Sequence, residues 1–276
     1  MATYLVTGAG SGIGAATVAR LTRSGADVLG VDLTGADITA DLSTPEGRAG
    51  AVAAASAAAG GRLAGVVCCA GVGPLATTAS GSAMVSVNYF GTVDLLTGLR
   101  PALAAGDHAA AVVVSSSSTT TQPAIPADVV AACLAGDEPA AVRCGAAAGP
   151  VASYPATKLA LAHWVRRSAG TPEWIGAGIR LNAVAPGMID TPMTNGPDLD
   201  PELARALDFY PVPLGRRGQP DEIASVIEFL LGPGAALLCG SVIFADGGTD
   251  AHLRGTDWPA AWEPTAAELG RAFTPK

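Results

Sequence analysis

From Thr3 to Gly248 the chain alternates short, continuously apolar runs with longer helical stretches, and no other feature restricts its fold as much. The runs "TYLVTG" (3–8), "DVLGVDL" (27–33), "LAGVVCCAG" (63–71), "AAAVVVSSS" (109–117), "GIRLNAVAPG" (178–187) and "GSVIFADGG" (240–248) lack the apolar–polar alternation of a strand with one wet face. Between them the pattern predicts helices over 12–26, 45–59, 81–103, 154–170 and 219–233. Thr44 caps the second of these, with Pro45 in its first turn. Strands apolar on both sides need helices on both faces, which defines a parallel, doubly wound α/β sheet. Nothing resembling a linker divides the chain, so residues 1–276 read as a single domain.

Composition closes off several functions. Hydrophobic residues make up 49% of the 276 and aromatics only 5%, enough for a large core of closely packed small side chains. A net charge of −8, with no basic tract, argues against nucleic acid. The longest weakly polar run, between Arg48 and Arg62, is too short and too weakly apolar to span a bilayer. The strand signal begins at residue 3, which leaves no room for a secretory leader. Five cysteines with no C-x-x-C pattern indicate reduced thiols and a cytoplasmic location, and Cys68-Cys69 read as small buried strand residues. His108, His163 and His252 are too scattered for a metal site, so no metal is expected.

Two motifs carry chemistry. "TGAGSGIG" (7–14) joins the first strand to the first helix; glycines there permit a tight turn and let a pyrophosphate sit at the helix N-terminus. Asp32 ends the next strand, where a carboxylate accepts from adenosine ribose hydroxyls and repels a 2′-phosphate. "YPATK" (154–158) puts Tyr154 and Lys158, one of only two lysines, on one helix face. A free phenol is about 0.1% ionised at pH 7. An ammonium nearby and a positive nicotinamide ring are expected to lower the Tyr154 pKa and make it a usable acid/base. Pro155 is expected in the first turn of that helix.

In order along the chain these segments resemble the short-chain dehydrogenase/reductase family. The carriers of the resemblance are Gly8, Gly12 and Gly14 within "TGAGSGIG", then "DLS" (41–43), "CCAG" (68–71), "VNYFG" (87–91), "VVVSSSS" (112–118), "YPATK" and "RLNAVAPGMIDTP" (180–192). The resemblance implies a Rossmann-type fold and NAD as cofactor. It places the dinucleotide against Gly8, Gly10, Ser11, Gly12, Ile13, Gly14, Asp32, Asp41, Leu42, Ala70, Gly71, Pro186, Gly187, Ile189 and Thr191, with Tyr154 and Lys158 at the nicotinamide ribose. It implies catalysis by Asn88, which orders a water on a proton path, by a serine that donates to the substrate oxygen, and by Tyr154 and Lys158. Alignment selects Ser116, with Ser115 and Ser117 one residue away on either side.

Two departures stand out. "CCAG" lacks the family's usual asparagines. Ser116 and Tyr154 are separated by a much longer stretch than the usual dozen residues, so 119–152 reads as an insertion of one or two alanine-rich helices before the tyrosine. With that insertion the chain resembles the bacterial 3α-hydroxysteroid dehydrogenase/carbonyl reductase subgroup. Residues 249–276 form a C-terminal extension that either folds over the substrate cleft or packs on a partner subunit.

The expected activity is NAD-dependent interconversion of a secondary alcohol and a ketone on an apolar, possibly cyclic or steroid-like, small molecule. The rivals are reduction of a 3-oxoacyl thioester and a catalytically silent dinucleotide-binding sensor or scaffold. A homo-oligomer, dimer or tetramer, is expected; neither nucleic acid nor membrane is an expected partner.

Overall fold

A computed structural model describes residues 2–272; Met1 and the last four residues of the expected extension lie outside the described residues. Seven strands form one parallel sheet in the order β3-β2-β1-β4-β5-β6-β7. They are β1 (Thr3–Thr7), β2 (Asp27–Asp32), β3 (Ile38–Thr39), β4 (Gly65–Cys68), β5 (Ala110–Val114), β6 (Arg180–Pro186) and β7 (Val242–Ala245). The short β3 is an addition to the strands expected from the sequence. The order reverses between β1 and β4, and a crevice opens there at the carboxyl ends of the strands.

Neighbouring strand residues point to opposite faces, and each face has its own helices. Leu5, Val66, Ala111 and Ala183 face one side, with Ala51, Leu95, Leu99 and Leu161. Those come from α2 (Pro45–Ala58), a long helix α3 spanning 81–104, and α5 (Glu138–Ala169). Val6, Val67, Val112 and Val184 face the other side, under α1 (Gly12–Arg23) and α6 (Pro220–Leu231), which bring Leu21, Ile223, Ile227 and Leu230. Both faces are dry, which explains the unbroken apolar strands. The α2 cap forms as its residues suggest, with Thr44 Oγ1 accepting from the Gly47 amide at 3.0 Å.

Three features add to the reading from the sequence. The middle of α3, Val85–Phe90, is π-helical. The insertion supplies a short helix Ser118–Thr121, α4 (Ala127–Ala135) and the first part of α5. Finally, α5 breaks at Gly149 (φ 76°) and restarts at Pro150, so Pro155 lies in the second turn of the tyrosine-bearing segment. Pro150 holds the first-turn position expected for Pro155.

The α4 helix buries Val129, Val130 and Cys133 against the cluster that holds Tyr89, Phe90 and Trp164, so it covers the outer faces of α3 and α5. Arg48 of α2, only 3% exposed, fastens this layer by pairing with Glu138 at the start of α5 and with Asp94 of α3 at 2.9 Å. In the extension, a short helix Thr249–Arg254 precedes Trp258, whose ring lies 5.7 Å from the Arg254 guanidinium. Trp258 and Trp262 are exposed. Among the described residues no helix is long and apolar enough to cross a membrane.

Candidate active site

The loop after β1 is built by close backbone approach. A Cβ on Gly14 would stand 2.0 Å from the Gly8 carbonyl oxygen, and one on Gly8 (φ 68°) would stand 2.8 Å from the Ala70 amide. Thr7 Oγ1 accepts from that amide at 3.0 Å and so joins the first motif to "CCAG" without an asparagine. Ser11 precedes α1 in extended conformation, and its side chain caps none of the first-turn amides. Those N–H groups are left open at the positive end of a twelve-residue helix, which suits an anionic pyrophosphate. The tight backbone cradle and uncapped amides fit a dinucleotide.

Around this loop lies a cleft of about 270 Å³. Gly8, Ser11, Gly12, Ile13 and Gly14 form its floor; Asp32, Asp41 and Leu42 line one end; Ala70, Gly71, Pro186, Gly187, Ile189 and Thr191 form the walls. Asp32 accepts from the Gly10 amide at 2.8 Å and the Leu33 amide at 2.7 Å. Bonds from Ser43 hold the Asp41 carboxyl below its ordinary range. Gly10 stands behind Asp32 and outside the lining. None of the lining residues comes from the described part of the extension, so the first alternative for that segment, a cover over this cleft, is not what the described residues form.

Ser116, Tyr154 and Lys158 close the opposite end. The serine run resolves by direction. Ser115 Oγ donates to the Lys158 carbonyl at 2.9 Å, Ser117 Oγ meets the Tyr210 hydroxyl at 3.3 Å, and Ser116 lines the cleft beside Tyr154. Lys158, 4% exposed, donates from Nζ to the Val114 carbonyl at 2.8 Å, and burial pushes its pKa down to about 8. Burial likewise raises the Tyr154 phenol above its ordinary value, the nearby Ser116 hydroxyl opposes the rise, and Tyr210 adds to it. The lowering expected from the sequence depends on a nicotinamide ring beside the phenol as well as on Lys158. Both side chains are desolvated, and the ammonium, 5.9 Å from the Tyr154 ring centre, is directed at a strand carbonyl.

Asn88 sits in the π-helical segment, fully buried, and does not line the cleft. Its amide accepts from the Val72 N–H at 2.8 Å and donates to the Val72 carbonyl at 3.1 Å and Thr157 Oγ1 at 3.4 Å. Its side chain therefore fixes the wall beyond Gly71. Burial holds the Cys69 thiol up at about 12 and raises Cys68 as well, so both are inert at neutral pH. Sequence reasoning missed Val72, Met193 and Thr194 in the lining, and Tyr210 beside the serines. Of these only Tyr210, one of four tyrosines, carried a compositional signal.

A Rossmann-type sheet, a glycine loop at a helix N-terminus and a Ser-Tyr-Lys group in the same cleft define a dinucleotide-dependent oxidoreductase. The short chain dehydrogenase model matches residues 2–129, and the model described as enoyl-(acyl carrier protein) reductase matches residues 140–250. The chain is 39% identical to the 3-alpha-hydroxysteroid dehydrogenase/carbonyl reductase of Comamonas testosteroni, over 94% of this chain and all of that one. Its fold superposes on the crystal structure of the 3-alpha-hydroxysteroid dehydrogenase from Pseudomonas sp. B-0831 complexed with NADH, with a TM-score of 0.88 and 45% identity, covering 92% of this chain and 99% of that one. A shorter match, 49% identity over 28% of this chain and 30% of the relative, links it to the 3-oxoacyl-[acyl-carrier-protein] reductase of Thermotoga maritima. The chain belongs to the short-chain dehydrogenase/reductase family and is an oxidoreductase related to the hydroxysteroid dehydrogenases/carbonyl reductases.

Proposed function

We propose that the protein is an NAD-dependent alcohol dehydrogenase/ketone reductase acting on a secondary hydroxyl or carbonyl of an apolar, cyclic small molecule. The observation that carries this reading is that Ser116, Tyr154 and the buried Lys158 line the same cleft as the glycine loop and Asp32. When bound, the nicotinamide supplies the hydride acceptor or donor. The chain's residues do the rest. The glycine loop and α1 amides hold the pyrophosphate, and Asp32 takes the adenosine ribose. Tyr154 exchanges a proton with the substrate oxygen. Ser116 donates to that oxygen as charge develops on it. Lys158, charged below about pH 8, favours the phenolate in transition and holds the nicotinamide ribose. Asn88 acts by holding Val72.

The match to the acyl carrier protein reductases favours one rival, reduction of a 3-oxoacyl thioester. The net charge of −8 disfavours it, because an acidic carrier needs a basic entrance. Turnover of a panel of cyclic and steroid secondary alcohols with NAD, beside a 3-oxoacyl thioester with NADH, separates the two. The proposal expects activity on the alcohols; activity confined to the thioester would overturn it, as would none on either.

A further inference from the structure

Residues 115–121 read "SSSSTTT", seven hydroxyl side chains in a row, and the proposed reaction uses only Ser116. The others form a turn that determines how Ser116 is presented. Ser116 Oγ accepts from the Ser118 amide at 3.1 Å, so its own proton is left to point into the cleft. Thr119 Oγ1 donates to the Ser116 carbonyl at 2.8 Å, Thr121 Oγ1 donates to the Ser117 carbonyl at 3.0 Å, and Thr120 Oγ1 lies 3.1 Å from that same carbonyl. From outside, Asp250 accepts from Thr120, and the Tyr210 hydroxyl lies between Ser117 Oγ (3.3 Å) and Thr121 Oγ1 (2.9 Å).

Tyr210 arrives on the segment 188–217, a strap whose first part, Ile189 and residues 191–194, lines the cleft. One side of the strap is fixed by backbone bonds, Thr77 N–H to the Asp198 carbonyl at 2.9 Å and Asp200 N–H to the Leu75 carbonyl at 2.7 Å. The other side reaches residues 247–249 through Leu214 N–H to the Gly247 carbonyl (3.0 Å) and Thr249 Oγ1 to the Pro211 carbonyl (2.8 Å). At the corner, Phe209 is 88% exposed while its neighbour Tyr210 turns inward. The difference between these two side chains is the hydroxyl.

We propose that Tyr210 is a positioning residue: its phenol ties the strap to the 117–121 turn and thereby sets the Ser116 hydroxyl against Tyr154. The inference rests on the reading of the site given above. Strap seating and serine geometry become one mechanical unit, so a substrate that lifts the strap also misplaces the serine. Turnover is then restricted to molecules that fit beneath a seated strap. The nearness of Tyr210 is also felt at Tyr154, whose phenol it helps to raise.

Kinetics of Tyr210→Phe, Ser116→Ala and the double variant test this, with NADH affinity measured by fluorescence on each. Tyr210→Phe is expected to lower kcat about 3- to 10-fold, the effect of one lost hydrogen bond, with NADH affinity unchanged. Placed on Ser116→Ala it should add nothing, because its influence passes through that hydroxyl. Thr121→Val, which keeps the tyrosine, should show a smaller loss of the same kind and stands in if the Phe variant folds poorly. Losses that multiply in the double variant, or an unchanged kcat, would overturn the proposal. If the wild-type protein turns over no alcohol, it is the functional reading that fails, and the Tyr210 contact is then judged by trypsin. Cleavage after Arg205 in the strap should be faster in Tyr210→Phe; an unchanged rate would refute the contact.

Discussion

Lys158 donates its ammonium proton to the carbonyl of Val114 at 2.8 Å, and the next residue, Ser115, donates back to the carbonyl of Lys158 at 2.9 Å. This reciprocal pair seats the tyrosine-bearing part of α5 on the end of β5, the strand that runs into the serine turn. Ser116 and Tyr154 come from segments far apart in sequence, and the relation between their hydroxyls depends on this joint. Its cost is a desolvated ammonium.

That cost is measurable as pH-dependent stability. The Lys158 pKa falls from its ordinary 10.5 to about 8 on folding, because burial penalises the charge. Between those values the unfolded chain holds the extra proton, so this group's contribution to stability rises with pH from about 8 to 10.5. Below pH 8 the penalty is present in full, of the order of 3 kcal/mol. Lys158→Met should therefore be inactive yet melt at a higher temperature than wild type at pH 7. Its advantage should shrink above pH 8. Thermal unfolding of the two proteins from pH 6.5 to 9.5 checks this; a gap that does not narrow would contradict it.

At the other end of the cleft, Asp32 predicts cofactor choice. A 2′-phosphate beside this carboxylate meets like-charge repulsion, and about 1.4 kcal/mol of it is a factor of ten. Catalytic efficiency should favour NAD over NADP by about tenfold or more, and Asp32→Ser should narrow the ratio. A wild-type preference for NADP would mean that the carboxylate, held by the Gly10 and Leu33 amides, does not face the ribose.

The sheet was legible because its strands are apolar on both faces, a pattern that Val66 and Val67 on β4 or Ala111 and Val112 on β5 display plainly. The glycine loop and "YPATK" were legible because their spacings answer to specific backbone and side-chain geometry. Other features leave no such trace. The π-helical turn around Asn88 has no compositional signature, and the start of the tyrosine helix was misplaced because Pro150 and Pro155 both suit a first turn. Around Tyr154 the sequence shows which charges are near but not how dry the site is. Tyr210 was overlooked since its partners, Ser117 and Thr121, lie about ninety residues away.

The insertion carries a prediction about assembly. With Val129, Val130 and Cys133 packed against the α3–α5 layer, α4 covers a helix surface that would otherwise be open to a second copy. A homo-dimer built through another surface is expected by light scattering. Replacing residues 123–148 with a short loop should expose Tyr89 and Trp164 and promote further association. A wild-type tetramer whose assembly ignores that deletion would contradict this.

The account stands or falls on the Tyr154 hydroxyl. Tyr154→Phe removes one oxygen from a side chain otherwise held by its ring and by the helix after Gly149. The decisive measurement is steady-state turnover of this variant on the best secondary alcohol, with NADH affinity measured on the same sample. The account predicts NADH affinity close to wild type and kcat lower by roughly 100-fold or more, the usual worth of a positioned acid/base. Near wild-type turnover with NADH bound would contradict it.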